Sequence, residues 1–217
     1  MTQIPSATVT RLIAYLRILT ALREQGVERT ASDDLAREAH VSAFQVRKDL
    51  AYFGRFGTRG AGYLVASLER ELQRILGLNR PWNAAIIGMG RLGSALADYP
   101  NISDYGFALK VAFDTDPKKI GTTVGGLEVH DMRNLARVVK ANAIDIGLLT
   151  VPREAAQAAT ESLAEAGVYG ILNFSPVILD APEGVHIESV DFLAGLKRVS
   201  YYLHADQEES DPQAVAG

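Results

Sequence analysis

The sequence predicts an α/β protein in two parts, a winged helix-turn-helix domain followed by a Rossmann-type doubly wound parallel sheet. Three observations lead there. The stretch Gly88-Met89-Gly90-Arg91-Leu92-Gly93 sits between an apolar run at 84–87, which reads as a buried strand, and the helical spacing of Leu92, Ala95 and Leu96. Ahead of it come two short helical segments joined by a tight turn, then a stretch rich in glycine and arginine. Charge divides the chain near the same place: residues 1–80 hold 12 Lys and Arg against 8 Asp and Glu, and residues 81–217 hold 10 against 18.

That asymmetry matters for partners. A net charge of -4 argues against nonspecific polyanion binding by the whole chain, whereas a basic first part beside an acidic second part lets only the first meet a polyanion. The absence of cysteine excludes disulfides, thiolate metal sites and thiol redox sensing, and no metal site is expected. Arg11, Arg17 and Arg23 interrupt the leucines near the start, so neither a signal-peptide core nor a membrane partner is expected, and the cytoplasm is the expected location.

In chain order, Leu12, Ile13, Leu16, Leu19 and Leu22 form the stripe of a first helix, and Gly26 is placed to stop it; Arg17 lies off that stripe, as a solvated arginine would. A second helix starts at Ser32, with Asp33 and Asp34 favouring its dipole, and a turn follows at His40-Val41. Ser42 and Gln45 have the spacing of a capping box and start a third helix running to about Phe53. Val46, Leu50 and Phe53 share its inner face, leaving Gln45, Arg47, Lys48 and Tyr52 outward, as on a recognition helix in a major groove. The stretch 54–63 then reads as a wing carrying Arg55 and Arg59, although a glycine-rich loop with incidental arginines has the same composition. Ser42, Phe44, Gln45, Arg47, Lys48, Tyr52, Arg55, Thr58 and Arg59 are thus the candidate contacts to double-stranded DNA. Another amphipathic helix, 64–76, ends at a boundary near 77–81.

In the second part, a strand–G-x-G-x-x-G–helix order supplies glycine where the backbone bends, where it touches a pyrophosphate, and where helix and strand pack closely. The strand 111–113 ends in Asp114, about 20 residues past the last glycine, where a carboxylate accepts ribose hydroxyls and repels a 2′-phosphate. Residues 88–93 and Asp114 are therefore a predicted dinucleotide site. Strands at 127–129, 144–151 and 170–174 alternate with helices at 132–141 and 154–166. Ligands collect at the carboxyl ends of such strands, so Thr150, Val151, Pro152, Asn173, Phe174 and Ser175 are candidate contacts, with simple strand termination as the plain alternative.

Several stretches in this order resemble one family: Val46-Arg47-Lys48-Asp49-Leu50-Ala51-Tyr52-Phe53-Gly54, the wing 57–63, the turn 88–93, Leu149-Thr150-Val151-Pro152-Arg153, Ile171-Leu172-Asn173-Phe174 and Val190-Asp191-Phe192-Leu193-Ala194-Gly195-Leu196. Together they are similar to the redox-sensing transcriptional repressors of the Rex family. The resemblance implies a homodimer that binds a palindromic operator when NADH is scarce and releases it when NADH binds, with NADH and NAD+ as regulatory ligands. It also implies a division into a DNA-binding domain at 1–80, a nucleotide domain at 81–191 and a terminal helix at 192–204 exchanged between subunits. The acidic, proline-containing residues 205–217 are expected to be disordered. By the same resemblance Arg91 lies beside the pyrophosphate, Tyr99 and Phe192 lie near the nicotinamide, and Asp191 pairs with Arg17 in one conformational state.

The main rival is an NAD-dependent oxidoreductase, since fold alone does not fix function. Such an enzyme needs a proton donor, and His40, His130, His186 and His204 show no carboxylate partner at useful spacing. A nucleotide-binding module of the CoA-ligase type would explain the glycines but not the basic first part.

Overall fold

The computed structural model describes residues 4–57 and 62–210 and divides into the units Met1–Arg80 and Pro81–Gly217. Helix α1 (Ser6–Glu24) buries Leu12, Tyr15 and Leu19, at i, i+3 and i+7, while Ile13, counted above in the apolar stripe, is turned outward. Gly26 follows the helix with φ 76°, the left-handed conformation that glycine adopts without penalty.

Strand β1 (Arg29–Thr30) is too short to leave a periodic signal, and it pairs antiparallel with β2 (Tyr63–Leu64). Between them lie α2 (Ser32–Glu38) and α3 (Ala43–Ala51), joined through His40 in the left-handed region at φ 53°. Ser42 caps α3 by accepting the Gln45 backbone N–H at 3.1 Å. The reciprocal half of the predicted capping box is missing, because the Gln45 side chain donates to Asp49 instead. Helix α4 (Val65–Ile75) closes a core of Leu12, Tyr15, Leu19, Leu35, Val46 and Leu72, with Phe53 only partly buried at its edge.

The second unit contains β3 (Trp82–Ile87), α5 (Arg91–Ala97), β4 (Phe107–Asp114), β5 (Thr123–Val124), β6 (Leu127–Asp131), α6 (Leu135–Asn142), β7 (Ile146–Leu149), α7 (Arg153–Glu165), β8 (Gly170–Asn173), β9 (His186–Ser189) and α8 (Phe192–Ser210). The sheet order is β5-β6-β4-β3-β7-β8-β9, parallel except where the short edge strand β5 meets β6. The chain therefore starts at the sheet centre, winds outward through β4 and β6, and crosses back to β7. That reversal leaves a crevice at the carboxyl ends of β3 and β7.

Helices α6 and α7 cover one face, where Ile87, Phe113, Leu149, Val139 and Leu163 pack. On the other face α5 packs over Ala84, Ile86 and Ala112. Over β7, β8 and β9 that face opens into a cleft of about 900 Å³ whose lining includes Ile146, Leu148, Leu172 and Ile178. The helix expected from 132 starts at Leu135, because Asp131 accepts the Arg133 N–H at 2.8 Å and holds residues 132–134 in a tighter 3-10 turn.

Helix α8 corrects the boundary of the expected disordered tail. It continues through Ser210, six residues beyond the expected end at 204, since Ala, Gln and Glu are good helix formers. No helix among the described residues is long and apolar enough to cross a membrane.

Candidate functional site

Each of the three glycines has its own physical reason. Gly88 has φ 96°, and a Cβ there would lie 2.9 Å from Val151 Cγ1. A Cβ on Gly93 would fall 2.1 Å from the Gly88 carbonyl oxygen, so α5 can approach β3 only without a side chain. Gly90 differs: as the N-cap of α5 it has φ -77°, open to any residue, and its absent Cβ would meet nothing within 4 Å. The first N–H groups of the helix beside it have no intrahelical acceptor. Arg91 and Leu92 are exposed at this turn, whereas the Met89 side chain is turned into the core and only its backbone faces the site.

Asp114 holds the turn in place. One carboxylate oxygen accepts the Met89 N–H at 2.8 Å and Lys119 Nζ at 2.9 Å, and the other accepts the Asp116 N–H at 2.8 Å. Burial works against its ionisation, but these donors, led by Lys119, outweigh it and hold the carboxyl below the ordinary aspartate value. The predicted repulsion of a 2′-phosphate is therefore weakened by an adjacent cation that spacing did not reveal. Among the described residues no cluster of acidic or histidine side chains could hold a metal ion.

From the neighbouring strand, the Thr150 hydroxyl donates to the Gly88 carbonyl at 2.6 Å, so it shapes the glycine turn rather than standing free. Asn173 is wholly buried; its amide donates to the Ser175 and Val177 carbonyls, and its oxygen accepts the Ser175 N–H. Ser175 in turn donates to the Val151 carbonyl at 2.6 Å. These two side chains, expected as ligand contacts, tie β8 to the loop after β7; Val151 and Phe174 are half-buried and Pro152 is exposed beside them. His130 also departs from expectation: Glu128, two residues away and so on the same strand face, lies 3.6 Å from its Nδ1.

In the first unit, Phe44 (68% exposed), Tyr52, Lys48 and Arg55 stand on the surface, and Arg47 is exposed while donating to Ser32 at 2.8 Å. Thr58 and Arg59 lie outside the described residues. Behind this surface is a residue to which sequence reasoning assigned no role. Asp49 is fully buried, and its carboxylate accepts Arg11 Nε at 2.6 Å, Arg11 Nη2 at 2.7 Å, Tyr15 Oη at 3.0 Å, Thr8 Oγ1 at 3.3 Å and Gln45 Nε2 at 2.8 Å. Gln45 is thus half-buried and engaged rather than free, a correction to its outward placement.

Arg17 is exposed on α1. In the other unit, Asp191 accepts the Ala194 N–H at 2.9 Å at the start of α8, and Tyr99 is about half exposed. The apolar residues Phe192, Leu196, Val199, Tyr202 and Leu203 are all exposed along α8.

Comparison with known proteins matches this two-unit layout. Residues 79–177 match the family model "CoA binding domain", and residues 3–51 match the model "Putative DNA-binding protein N-terminus". The redox-sensing transcriptional repressor Rex of Thermus thermophilus is 56% identical over 201 residues, covering 93% of this chain and 94% of that protein. The chain belongs to the Rex family. The Rex of Deinococcus radiodurans is 51% identical over 94% of this chain and 95% of its own. Among solved structures, RSP, a Rex-family repressor, matches in its complex with β-NAD+ and operator DNA at a TM-score of 0.92, with 36% identity over 100% of both chains. Its complex with β-NADH matches at 0.86, covering 97% of this chain and 98% of that one. Rex membership makes the chain a redox-sensing repressor rather than a dehydrogenase, and it accounts for the basic unit that a CoA-ligase module leaves unexplained.

Proposed function

We propose that the chain binds palindromic operator DNA as a homodimer and releases it when NADH binds, so that promoter occupancy follows the ratio of NADH to NAD+ in the cytoplasm. The nucleotide lies across the carboxyl ends of β3, β4, β7 and β8. Its pyrophosphate sits over the first turn of α5 beside Gly88, Gly90 and Arg91, and its adenine ribose sits near Asp114. Its nicotinamide end lies toward Val151, Pro152, Phe174, Tyr99 and Phe192. When bound, the nucleotide supplies a ring that is neutral when reduced and cationic when oxidised.

The observation that carries this reading is Gly90. Packing accounts for Gly88 and Gly93, whereas among the described residues no neighbouring atom, and no dihedral, requires glycine at 90, so the space it leaves serves a ligand. On the DNA side, Ser42, Phe44, Gln45, Arg47, Lys48, Tyr52 and Arg55, together with Thr58 and Arg59, meet bases and phosphates from α3 and the wing. The exposed apolar faces of α8 and of the cleft over β7, β8 and β9 support a homodimer in which α8 is exchanged and both faces become buried.

DNA and NADH then exclude one another by linkage. Driving operator occupancy from nearly full to nearly empty requires NADH affinities for the two states to differ by about 5.5 kcal/mol. Arg17 and Asp191 pair in the NADH-bound state; in an Asp191→Asn variant NADH should no longer release the operator. The direct test is an anisotropy titration on a palindromic operator at fixed salt, comparing NADH with NAD+. Release by NADH at concentrations where NAD+ leaves the complex intact is expected, and operator binding indifferent to both refutes the proposal.

A further inference from the structure

Asp49 is a buried charge that the nucleotide-controlled release does not use. Four of its five donor contacts come from Thr8, Arg11 and Tyr15 on α1, and the fifth comes from Gln45, one turn earlier on α3. Gln45 lies in the first turn of α3, the part of a recognition helix that meets base edges. We propose that Asp49 is a positioning residue for operator recognition: by accepting a hydrogen bond from the Gln45 amide it fixes which way that amide faces and therefore which base Gln45 reads. This rests on the DNA-binding reading above.

The argument is one of donors and acceptors. An ionised carboxylate can only accept, so Gln45 must turn its NH2 group toward Asp49. A flipped amide would set the Gln45 oxygen against the Asp49 oxygen that now lies 2.8 Å from Nε2, placing two acceptors in contact. With the amide held, Gln45 keeps its oxygen as an acceptor and one remaining N–H as a donor. That pair complements adenine, which offers an N–H and N7 in the major groove, and mismatches guanine, which offers two acceptors. The side chain would lose little rotamer entropy on binding because its amide is already hydrogen-bonded to Asp49. Arg11 has a second effect: its fork on Asp49 neutralises the carboxylate, so the buried charge does not oppose the phosphates.

The test is a panel of operators with each half-site base pair varied in turn, bound at fixed salt by the unmutated protein, Gln45→Leu, Asp49→Asn and the double variant. Each single variant should lose adenine-over-guanine discrimination at the same base pair by roughly 5- to 150-fold, the span of a bidentate contact. The double variant should lose no more than the larger single loss. A merely structural Asp49 predicts a lower melting temperature and uniformly weaker binding with base preference intact, and that result overturns the proposal. Should Asp49→Asn fail to fold, side-chain amide relaxation of Gln45 in the free, unmutated protein decides: an amide as rigid as the backbone supports the proposal, and a mobile one refutes it. An unmutated protein blind to operator sequence would instead overturn the DNA-binding reading itself.

Discussion

Gly90→Val separates ligand binding from folding with little ambiguity. The backbone at Gly90 already lies in the extended region, at φ -77° and ψ -167°, and a Cβ there meets no atom of the described residues within 4 Å. The only cost intrinsic to the protein is the exchange of glycine for a poorer N-cap, about 1 kcal/mol, which lowers the melting temperature by roughly 2–4 °C in a chain of this size. Against a bound pyrophosphate the isopropyl group occupies the anion's place. Each charge-assisted bond from the α5 N-terminus that it displaces contributes about 1.5–3 kcal/mol, so NADH affinity should fall roughly 10- to 150-fold per bond lost. Gly93→Ala is the control, because its Cβ would sit 2.1 Å from the Gly88 carbonyl oxygen and must disrupt the strand–helix turn. Fluorescence titration with NADH, paired with circular-dichroism melts and operator anisotropy, reads all three quantities. Gly90→Val should keep operator binding and lose release. If it binds NADH as the parent does, or melts as early as Gly93→Ala, the assignment of the pyrophosphate to this turn is wrong.

Further outcomes follow from the same contacts. Burial raises the Asp49 carboxyl, but the hydrogen bonds from Arg11, Gln45 and Tyr15 outweigh it and leave the value depressed; stability from this group is therefore complete above about pH 4 and lost as pH falls through the folded value. Urea melts at stepped pH should show that acid loss in the parent and much less of it in Asp49→Asn, and Asp49→Ala should cost toward the lower end of about 3–5 kcal/mol, since Arg11 is 25% exposed and regains water. Thr150→Val removes the bond to the Gly88 carbonyl and should destabilise by about 1 kcal/mol while weakening NADH several-fold, measured by the same titration. Lys119→Ala strips the cation from Asp114 and should widen the preference for NADH over NADPH in competition binding; an unchanged ratio would place the 2′ position elsewhere. Leu196→Asp, on the exposed face of α8, should convert the proposed dimer to monomer in sedimentation velocity.

What the sequence disclosed, it disclosed through short-range patterns. The α/β class and the doubly wound order follow from alternating apolar runs, and the glycine turn is readable because its requirements fall within six consecutive residues. Ser42 was legible as a cap for the same reason. Asp49 was not, because its donors Thr8, Arg11 and Tyr15 lie 34–41 residues away on another helix and look individually like ordinary surface polar groups. Lys119 hid in a polar loop, and only the turn back toward β4 brings its ammonium to Asp114. Asn173 and Ser175 show the opposite limit: their position at a strand end does not disclose the hydrogen bonds that their side chains make back into the protein. The end of α8 is not legible because the acidic composition after His204 is also that of a tail, while helix propensity concerns the backbone.

The bare face of α8 also sets how the molecule responds to its own abundance. In the proposed homodimer, a helix that presents Phe192, Leu196, Val199, Tyr202 and Leu203 gains its burial from the second copy, so that folding and pairing would share one free energy. Each tenfold dilution then removes about 1.4 kcal/mol from the assembled state. On that proposal a cell that makes less of the protein would have fewer dimers and also less stable ones, and the sensor's copy number would become a second input alongside its nucleotide.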